Sequence, residues 1–278
     1  MHTSCKSCGK AISGNYCSNC GEKVVTPKER TFLFQLGKIV NAITFADTKM
    51  LQTLWLVIRR PGRLSSDYAE GKRVPYSSPL ALFFIGNLIY FLMPMLETFN
   101  TTLDVQMHGM PYGAITTKAV ENRIERENIS MEEFTSEYNV ASTSNAKLLL
   151  IFMVFFMVPA YAILCHRKGI YFADHFVMSL ELSIYNIFVN TIFFGLLLFP
   201  VVFLFRLSGT DITPYLNDRL ITIVVLISLI YFLYSSMRNM YGWNAAGALV
   251  RSFLIIAWLV VSLIAYRLTL FWASFYMV

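Results

Sequence analysis

The chain has 278 residues, of which 56% are hydrophobic and only 14% are charged, and its net charge is +6. A soluble domain carries about 25% charged residues, so this composition excludes an ordinary soluble protein of this length. Most of the apolar sequence lies in blocks of about 20 residues, the length that crosses a bilayer. Twelve of the 23 Lys and Arg precede Pro79. This asymmetry predicts membrane topology and does not favour nucleic-acid binding.

Four cysteines near the N-terminus form two matching pairs, each with two intervening residues and a glycine directly after it. The glycine lets backbone N–H groups approach sulfur without a side chain in the way. Four thiolates in a tetrahedral arrangement suit zinc. The spacing therefore predicts a zinc ribbon over residues 1–26, with the ligands Cys5, Cys8, Cys17 and Cys20. Because protein fills all four positions, the predicted zinc is structural and not catalytic.

Two interpretations of this ribbon remain open. It could be a docking module for a protein or a nucleic acid, or a small cap that only folds. Its lysines make it basic, but no row of aromatic side chains stands among them to stack bases. A protein partner is therefore favoured over nucleic acid.

The region 27–78 is predicted to be a basic, amphipathic juxtamembrane segment. Two short helices with one apolar face each are expected before residue 60, formed by Phe32, Leu36, Ile39 and Ile43 and, after Asp47 as a cap, by Leu51, Leu54, Trp55 and Ile58. A further helical turn is expected around Ser66–Glu70, closed by Gly71. These segments are too short to span a membrane, so they are predicted to lie on the inner leaflet or to pack against the bundle.

Five cations stand within fifteen residues of this segment: Arg59, Arg60, Arg63, Lys72 and Arg73. Such a cluster could hold anionic lipid headgroups at about 1 kcal/mol per cation. Alternatively, the cations only retain the N-terminus in the cytoplasm. Topology alone requires them, so the second interpretation is favoured.

Residues 79–278 are predicted to form a membrane domain of about five helices. The expected spans are 79–97, 147–165, 176–205, 220–237 and 249–271, and an extracytoplasmic helical loop is expected at 98–146. Within that loop Ser130 and Glu133 form a capping box, and its mixture of charges predicts a solvated surface. The third span is long enough to tilt or break.

The distribution of cations orients these spans. With the N-terminus in the cytoplasm, sixteen Lys and Arg fall on the cytoplasmic side and seven outside. The positive-inside rule is satisfied only this way round, so the C-terminus is predicted to lie outside. A cytoplasmic N-terminus sits in a reducing compartment, which favours metal binding over disulfides.

Polar side chains in the third span form the candidate intramembrane site. Ionisable groups at membrane depth are costly and usually face the bundle interior or water. The candidates are Glu181, Asn186, Asn190 and His175, with Asn87 from the first span. In one interpretation Glu181 exchanges a proton while the amides bind a solute. In the other, which is favoured, the amides join helices by hydrogen bonds and Glu181 extends to the nearby interface. His175 or a cation of an inner loop could pair with Glu181.

The juxtamembrane segment resembles an uncharacterised bacterial family of multi-span membrane proteins. The likeness rests on a box behind the four-cysteine ribbon, made of Thr53-Leu54, Arg60-Pro61-Gly62, Tyr68-Ala69-Glu70-Gly71-Lys72-Arg73, Tyr76 and Pro79. Residues 171–177 are similar to the start of a later span in that family. The resemblance implies an N-terminal zinc ribbon before several spans, but no activity. At the level of the fold, the five-span layout is more weakly similar to the Yip group of membrane-trafficking proteins.

No motif of a hydrolase, a nucleotide-binding loop or a catalytic metal site occurs in the sequence, so an enzyme is not favoured. The predicted fold class is an all-α integral membrane protein of the bacterial inner membrane with a small four-cysteine zinc ribbon. The predicted function is a non-enzymatic adaptor or scaffold that contacts membrane lipid and a protein partner. The alternative is a small transporter or channel that uses the third span. Small residues, Met and Phe in the spans permit a homo-oligomer.

Overall fold

The structure is a computed structural model, and it describes residues 3–5, 7–12, 14, 16–20, 48–92, 101–208 and 218–278. The chain divides into two compact units, Met1–Lys49 and Met50–Val278. The division falls inside the predicted juxtamembrane region 27–78, since residues 50–78 belong to the second unit. The first predicted amphipathic helix, at 31–46, lies outside the described residues.

The first unit contains a two-stranded antiparallel hairpin. Strands β1 (Thr3–Ser4) and β2 (Ala11–Ile12) pair with Thr3 opposite Ile12. Its buried side chains are the cysteines themselves: Cys5 and Cys17 form the cluster against which Cys8 packs. The described part of this unit therefore has no aliphatic core.

The second unit is helical throughout its described residues. The helices are α1 (residues 48–59), α2 (Arg63–Ala69), α3 (Pro79–Leu92), α4 (Leu103–His108), α5 (Gly113–Glu127), α6 (Met131–Leu164), α7 (Phe172–Tyr185), α8 (Phe194–Leu207), α9 (Asp218–Asn239) and α10 (Ala245–Phe275). The core lies where α6 packs on α7 and α10, and α9 packs on α10.

Three helical stretches are long and apolar enough to cross a membrane: Phe172–Leu207, Leu220–Asn239 and Ala245–Phe275. They contain the predicted third, fourth and fifth spans. Met131–Ala146 and Leu150–Leu164, inclined by 57°, would make a fourth if taken as one bent span. Pro79–Tyr90 is apolar but shorter, and residues 93–100 lie outside the described part. A helical, membrane-spanning architecture is thus supported, whereas the number of about five spans is not confirmed.

The third predicted span is one continuous helical stretch and is not broken. A π-helical segment, Asn186–Phe193, joins α7 to α8. Its wider turn is visible in the Thr191 hydroxyl, which donates to the carbonyl of Asn186 five residues earlier at 3.3 Å. Single π-helical insertions shift the register of all following side chains, so α8 turns a different face from the one that an uninterrupted helix would present.

The predicted extracytoplasmic loop is helical, as expected, but it has a core of its own. Leu103, Val120, Phe134 and Tyr138 from α4, α5 and α6 pack against Phe271 and Phe275 at the end of α10. Asn145 donates to the Ser274 hydroxyl at 3.2 Å, and Gln106 donates to the carbonyl of Arg267 at 3.1 Å. The segment is therefore solvated on one side only, because its other side covers the C-terminal end of α10.

The start of α6 carries a side-chain cap, which confirms the predicted role of Ser130. The Ser130 hydroxyl accepts from the N–H of Glu133 at 3.1 Å. We expect Ser130→Ala to lower the stability of this helix end by about 1 kcal/mol, because one N–H then loses its acceptor. Faster hydrogen exchange at residues 131–134 would show the loss. Thr135→Ala is the matched control, since the exposed Thr135 hydroxyl donates only within the helix, to Met131; equal exchange in both variants would contradict the expectation.

Candidate functional site

The four N-terminal cysteines come together as the sequence predicts. The sulfur atoms of Cys5 and Cys20 are 3.5 Å apart, those of Cys8 and Cys17 are 3.6 Å apart, and all four lie within 4.8 Å of one another. Zinc–sulfur bonds of about 2.3 Å in a tetrahedron require sulfur–sulfur separations of about 3.8 Å. The donor set and its spacing therefore fit a metal ion held by four thiolates.

The hairpin positions the first cysteine pair. The N–H of Cys5 donates to the carbonyl of Lys10 at 2.8 Å, and the N–H of Gly9 donates to the carbonyl of Cys5 at 2.9 Å. Gly9 has φ of +73°, a left-handed conformation that a glycine adopts without strain. The two pairs are tied by Lys10, whose ammonium group donates to the Asn19 side chain at 2.8 Å. The glycine after the second pair lies outside the described residues.

The environment of Cys8 favours the thiolate. A hydrogen bond from the backbone N–H of Lys10 lowers the pKa of the Cys8 thiol to about 6, with smaller contributions from the neighbouring thiols. The thiolate is the form that binds a metal. Because the cluster supplies four sulfur ligands, a metal ion held by all of them would have no position left for a reacting water.

A second set of functional candidates surrounds Glu181. The N–H of Gly62 donates to Glu181 Oε1 at 2.7 Å, while the N–H and the hydroxyl of Ser65 donate to Oε2 at 2.9 and 2.5 Å. All three donors belong to the start of α2, and Glu181 is fully buried. Glu181 thus accepts hydrogen bonds from the N–H groups of Gly62 and Ser65, which have no partner within α2. These two residues lie 119 and 116 positions earlier in the chain.

The segment that contains these donors is fixed to α9 as well. We call residues 58–78 the collar. Asn239 donates to the carbonyl of Pro61 at 2.8 Å, and the Tyr231 hydroxyl donates to the carbonyl of Ile58 at 3.0 Å. Gly62 has φ of +81°, and a Cβ added to it would lie 2.6 Å from the Cα of Ser236. The collar therefore packs into the bundle, which is the second of the two arrangements expected for it.

Within the collar, Asp67 is the centre of a polar cluster that sequence reasoning missed. Its carboxylate lies 3.0 Å from the guanidinium of Arg63 and accepts from the Tyr76 hydroxyl at 2.5 Å. That hydrogen bond raises the pKa of Tyr76 to about 12. The only local signal was the spacing of four between Arg63 and Asp67, which places them on one helix face.

The five predicted collar cations fall into two groups. Arg63 pairs with Asp67, Lys72 lies 2.5 Å from Glu70, and Arg73 lies over the ring of Tyr68 at 5.8 Å. Arg59 and Arg60 are exposed, and in the described part of the chain their side chains have no acidic or aromatic partner. Whether either group binds lipid stays a prediction.

The structure does not bring the predicted intramembrane polar residues together at one point. Glu181 is not paired with His175 or with a cation, because the collar occupies both of its oxygens. His175 is buried and contacts the Tyr241 hydroxyl through Nδ1 at 2.9 Å. Asn190 donates to Asn186 at 3.0 Å, and Oδ1 of the buried Asn87 has no hydrogen-bond partner among the described residues.

A small cleft lies beside the π-helical segment. Two polar residues line it, Ser183 and Asn186, among otherwise apolar side chains from α3, α6, α7, α9 and α10 and Ile187 of the π-helical segment. Glu181, His175, Asn87 and Asn190 are not part of this lining. The cleft is therefore mostly apolar.

The collar is also the part of the chain that known proteins resemble. The model of a family of proteins of unknown function (DUF3667) matches residues 47–91, which include α1, α2 and nearly all of α3. This match confirms, over that segment, the predicted likeness to a family without known activity. No curated protein matches the chain, and no solved structure matches it. The chain thus combines four cysteines that could hold a metal ion with a helical unit that has at least three helices of membrane-spanning length.

Proposed function

We propose that this chain is a non-enzymatic adaptor or scaffold in the bacterial inner membrane. In this proposal the N-terminal cysteines hold a structural zinc ion in the cytoplasm, about five helices anchor the chain, and the C-terminus lies outside. The ribbon contacts a protein partner, and the collar contacts lipid. The carrying observation is the closed set of four sulfur ligands, which can organise a docking surface but has no position for a substrate.

The exposed side chains of the helical unit support a membrane location. Phe199, Leu204 and Ile227 are 69%, 63% and 62% exposed, and similar residues continue along α8, α9 and α10. Contiguous apolar surface of this extent marks an interaction with lipid or protein. The alternative function, a transporter or channel, stays a prediction. The carboxylate that it would use for proton exchange, Glu181, accepts hydrogen bonds from the collar.

Partner recovery tests the adaptor proposal. The full-length chain, expressed in a bacterial host at matched membrane levels, would be crosslinked in cells and purified beside Cys17→Ser with Cys20→Ser. We expect the protein partners recovered with the wild-type chain to be lost from the double variant, because two of four ligands cannot organise the ribbon.

Cys165→Ser provides the control, because Cys165 is buried in the helical core and its sulfur contacts Met237. It should recover the same partners as the wild-type chain. Unchanged recovery with the double variant would contradict the proposal and reduce the ribbon to a cap that only folds.

A further inference from the structure

The collar presents only part of its positive charge to an external ligand. Arg63 and Lys72 lie against carboxylates, and Arg73 stacks on Tyr68. Arg59 and Arg60 are the exposed collar cations that contact neither a carboxylate nor an aromatic ring in the described residues. A ligand that recognises positive charge would therefore meet these two side chains first.

The contacts of the collar with α9 determine how deep Arg59 and Arg60 would lie in the membrane. The Tyr231 hydroxyl donates to the carbonyls of Ile58 and Arg59 at 3.0 and 3.3 Å. Tyr231 precedes the end of α9 at Asn239 by eight residues, or about 12 Å along the helix axis. The backbone at Arg59 therefore lies alongside the last turns of a membrane-length helix, where long cationic side chains extend towards the headgroups.

A third arginine shares this flank. Tyr231, Tyr234 and Arg238 follow one another along one face of α9, and the guanidinium of Arg238 lies 5.9 Å from the centre of the Tyr234 ring. Arg238 is exposed and has no carboxylate partner within the described part of the chain. We call Arg59, Arg60 and Arg238 the cationic flank.

An apolar stripe runs into the cationic flank. Leu51, Trp55 and Arg59 are spaced by four residues on one side of α1, and Leu51 and Trp55 are 62% and 61% exposed. Thr53 and Val57 form the buried side. Of the predicted apolar face Leu51, Leu54, Trp55 and Ile58, Leu54 packs against a core cluster, while Leu51 and Trp55 are exposed. Exposed Leu and Trp beside arginines are typical of a helix that lies in the membrane interface.

From these contacts we infer that the cationic flank binds the phosphate groups of anionic phospholipids while Leu51 and Trp55 insert among the acyl chains. The inference rests on the proposed membrane location, but it does not depend on the ribbon or on a protein partner. It assigns lipid binding to Arg59 and Arg60 at the end of α1 and to Arg238 at the end of α9. It excludes Arg63, Lys72 and Arg73, which belong to α2 and the turn after it, and of which Arg63 and Lys72 lie against carboxylates.

Native mass spectrometry of the purified full-length chain in neutral detergent tests this inference. The chain would be titrated with phosphatidylglycerol and, separately, with phosphatidylcholine of the same acyl chains. The wild type should prefer phosphatidylglycerol. Arg59→Gln with Arg60→Gln should weaken that binding roughly 25-fold, because one cation near the surface contributes about fivefold.

Lys72→Gln with Arg73→Gln is the matched control, since it removes two exposed cations from the same collar and should leave the binding within about twofold of wild type. Arg238→Gln, a single change at the exposed end of α9, should weaken it about fivefold. Equal affinity of the wild type for the two lipids would overturn the inference. So would equal losses in both double variants, or displacement of phosphatidylglycerol by inorganic phosphate alone at millimolar concentration.

Discussion

Replacing Cys17 and Cys20 with serine is expected to release the metal from the purified full-length chain and to unfold residues 3–20. The reason is that the described residues of this segment form no apolar core that could stabilise it without a metal. Its two strands contain two residues each, and its buried cluster consists of cysteines. Binding of a structural zinc ion supplies about 10–16 kcal/mol at neutral pH, and a site without two of its four ligands loses most of it.

Metal analysis by mass spectrometry measures the first effect, and limited proteolysis after Lys10 measures the second. The wild type should carry one zinc per chain, and the double variant none. Cys165→Ser should keep the metal, because Cys165 belongs to the helical core. The helical unit of the double variant should unfold at the same temperature as the wild type. Retention of the metal by the double variant, or its absence from the wild type, would contradict the assignment of the four cysteines.

The parts of the structure that the sequence predicted are the parts that depend on local pattern. The spacing of the cysteines determines their convergence, because each pair lies on one turn and only two turns must meet. The apolar blocks likewise determine α9 and α10, whose ends lie close to the predicted ones. The cap at Ser130 was also a local signal, and the structure contains it.

The contacts that arrange the second unit are not local, and no sequence pattern pointed to them. Gly62 and Glu181 are 119 residues apart, and nothing near either residue indicates the other. Hydropathy placed the start of the second span at residue 147, close to the 57° bend between Ala146 and Leu150, but it did not indicate that the helix already begins at Met131. The backbone of a helix continues as long as its hydrogen bonds do, whereas hydropathy reports only which part of it is apolar.

The contact between Glu181 and the collar leads to the second large expected effect. Glu181→Leu keeps most of the side-chain volume but removes the acceptor of three buried donors, the N–H groups of Gly62 and Ser65 and the Ser65 hydroxyl. A buried donor without an acceptor costs about 1–3 kcal/mol. We therefore expect Glu181→Leu to destabilise the docked collar by at least about 3 kcal/mol. Glu181→Gln should have a smaller effect, because its single carbonyl oxygen can still accept from one side.

Trypsin provides the measurement, because undocking exposes the bond after Arg63, whose neighbour Leu64 is fully buried in the docked collar. Cleavage there should be fastest in Glu181→Leu and slower in Glu181→Gln. Glu70→Gln is the control, since Glu70 is exposed and pairs only with Lys72 among the described residues. It should be cleaved like the wild type.

Gly62→Ala tests the same docking from the other side of the contact. Its Cβ would lie 2.6 Å from the backbone of Ser236 and would force a positive φ on a residue that disfavours it. Gly71→Ala has a similar φ of +83° but nothing within 4 Å of the added Cβ, so it separates backbone strain from the clash. If the collar is held as the contacts indicate, Gly62→Ala should be cleaved as fast as Glu181→Leu, and Gly71→Ala much more slowly. Equal cleavage of both glycine variants would show that strain alone, and not the approach to α9, determines how the collar is held.

In the proposed adaptor, fast cleavage in Glu181→Leu would also identify Glu181 as a structural residue. A loss of function in this variant could then not be attributed to proton exchange.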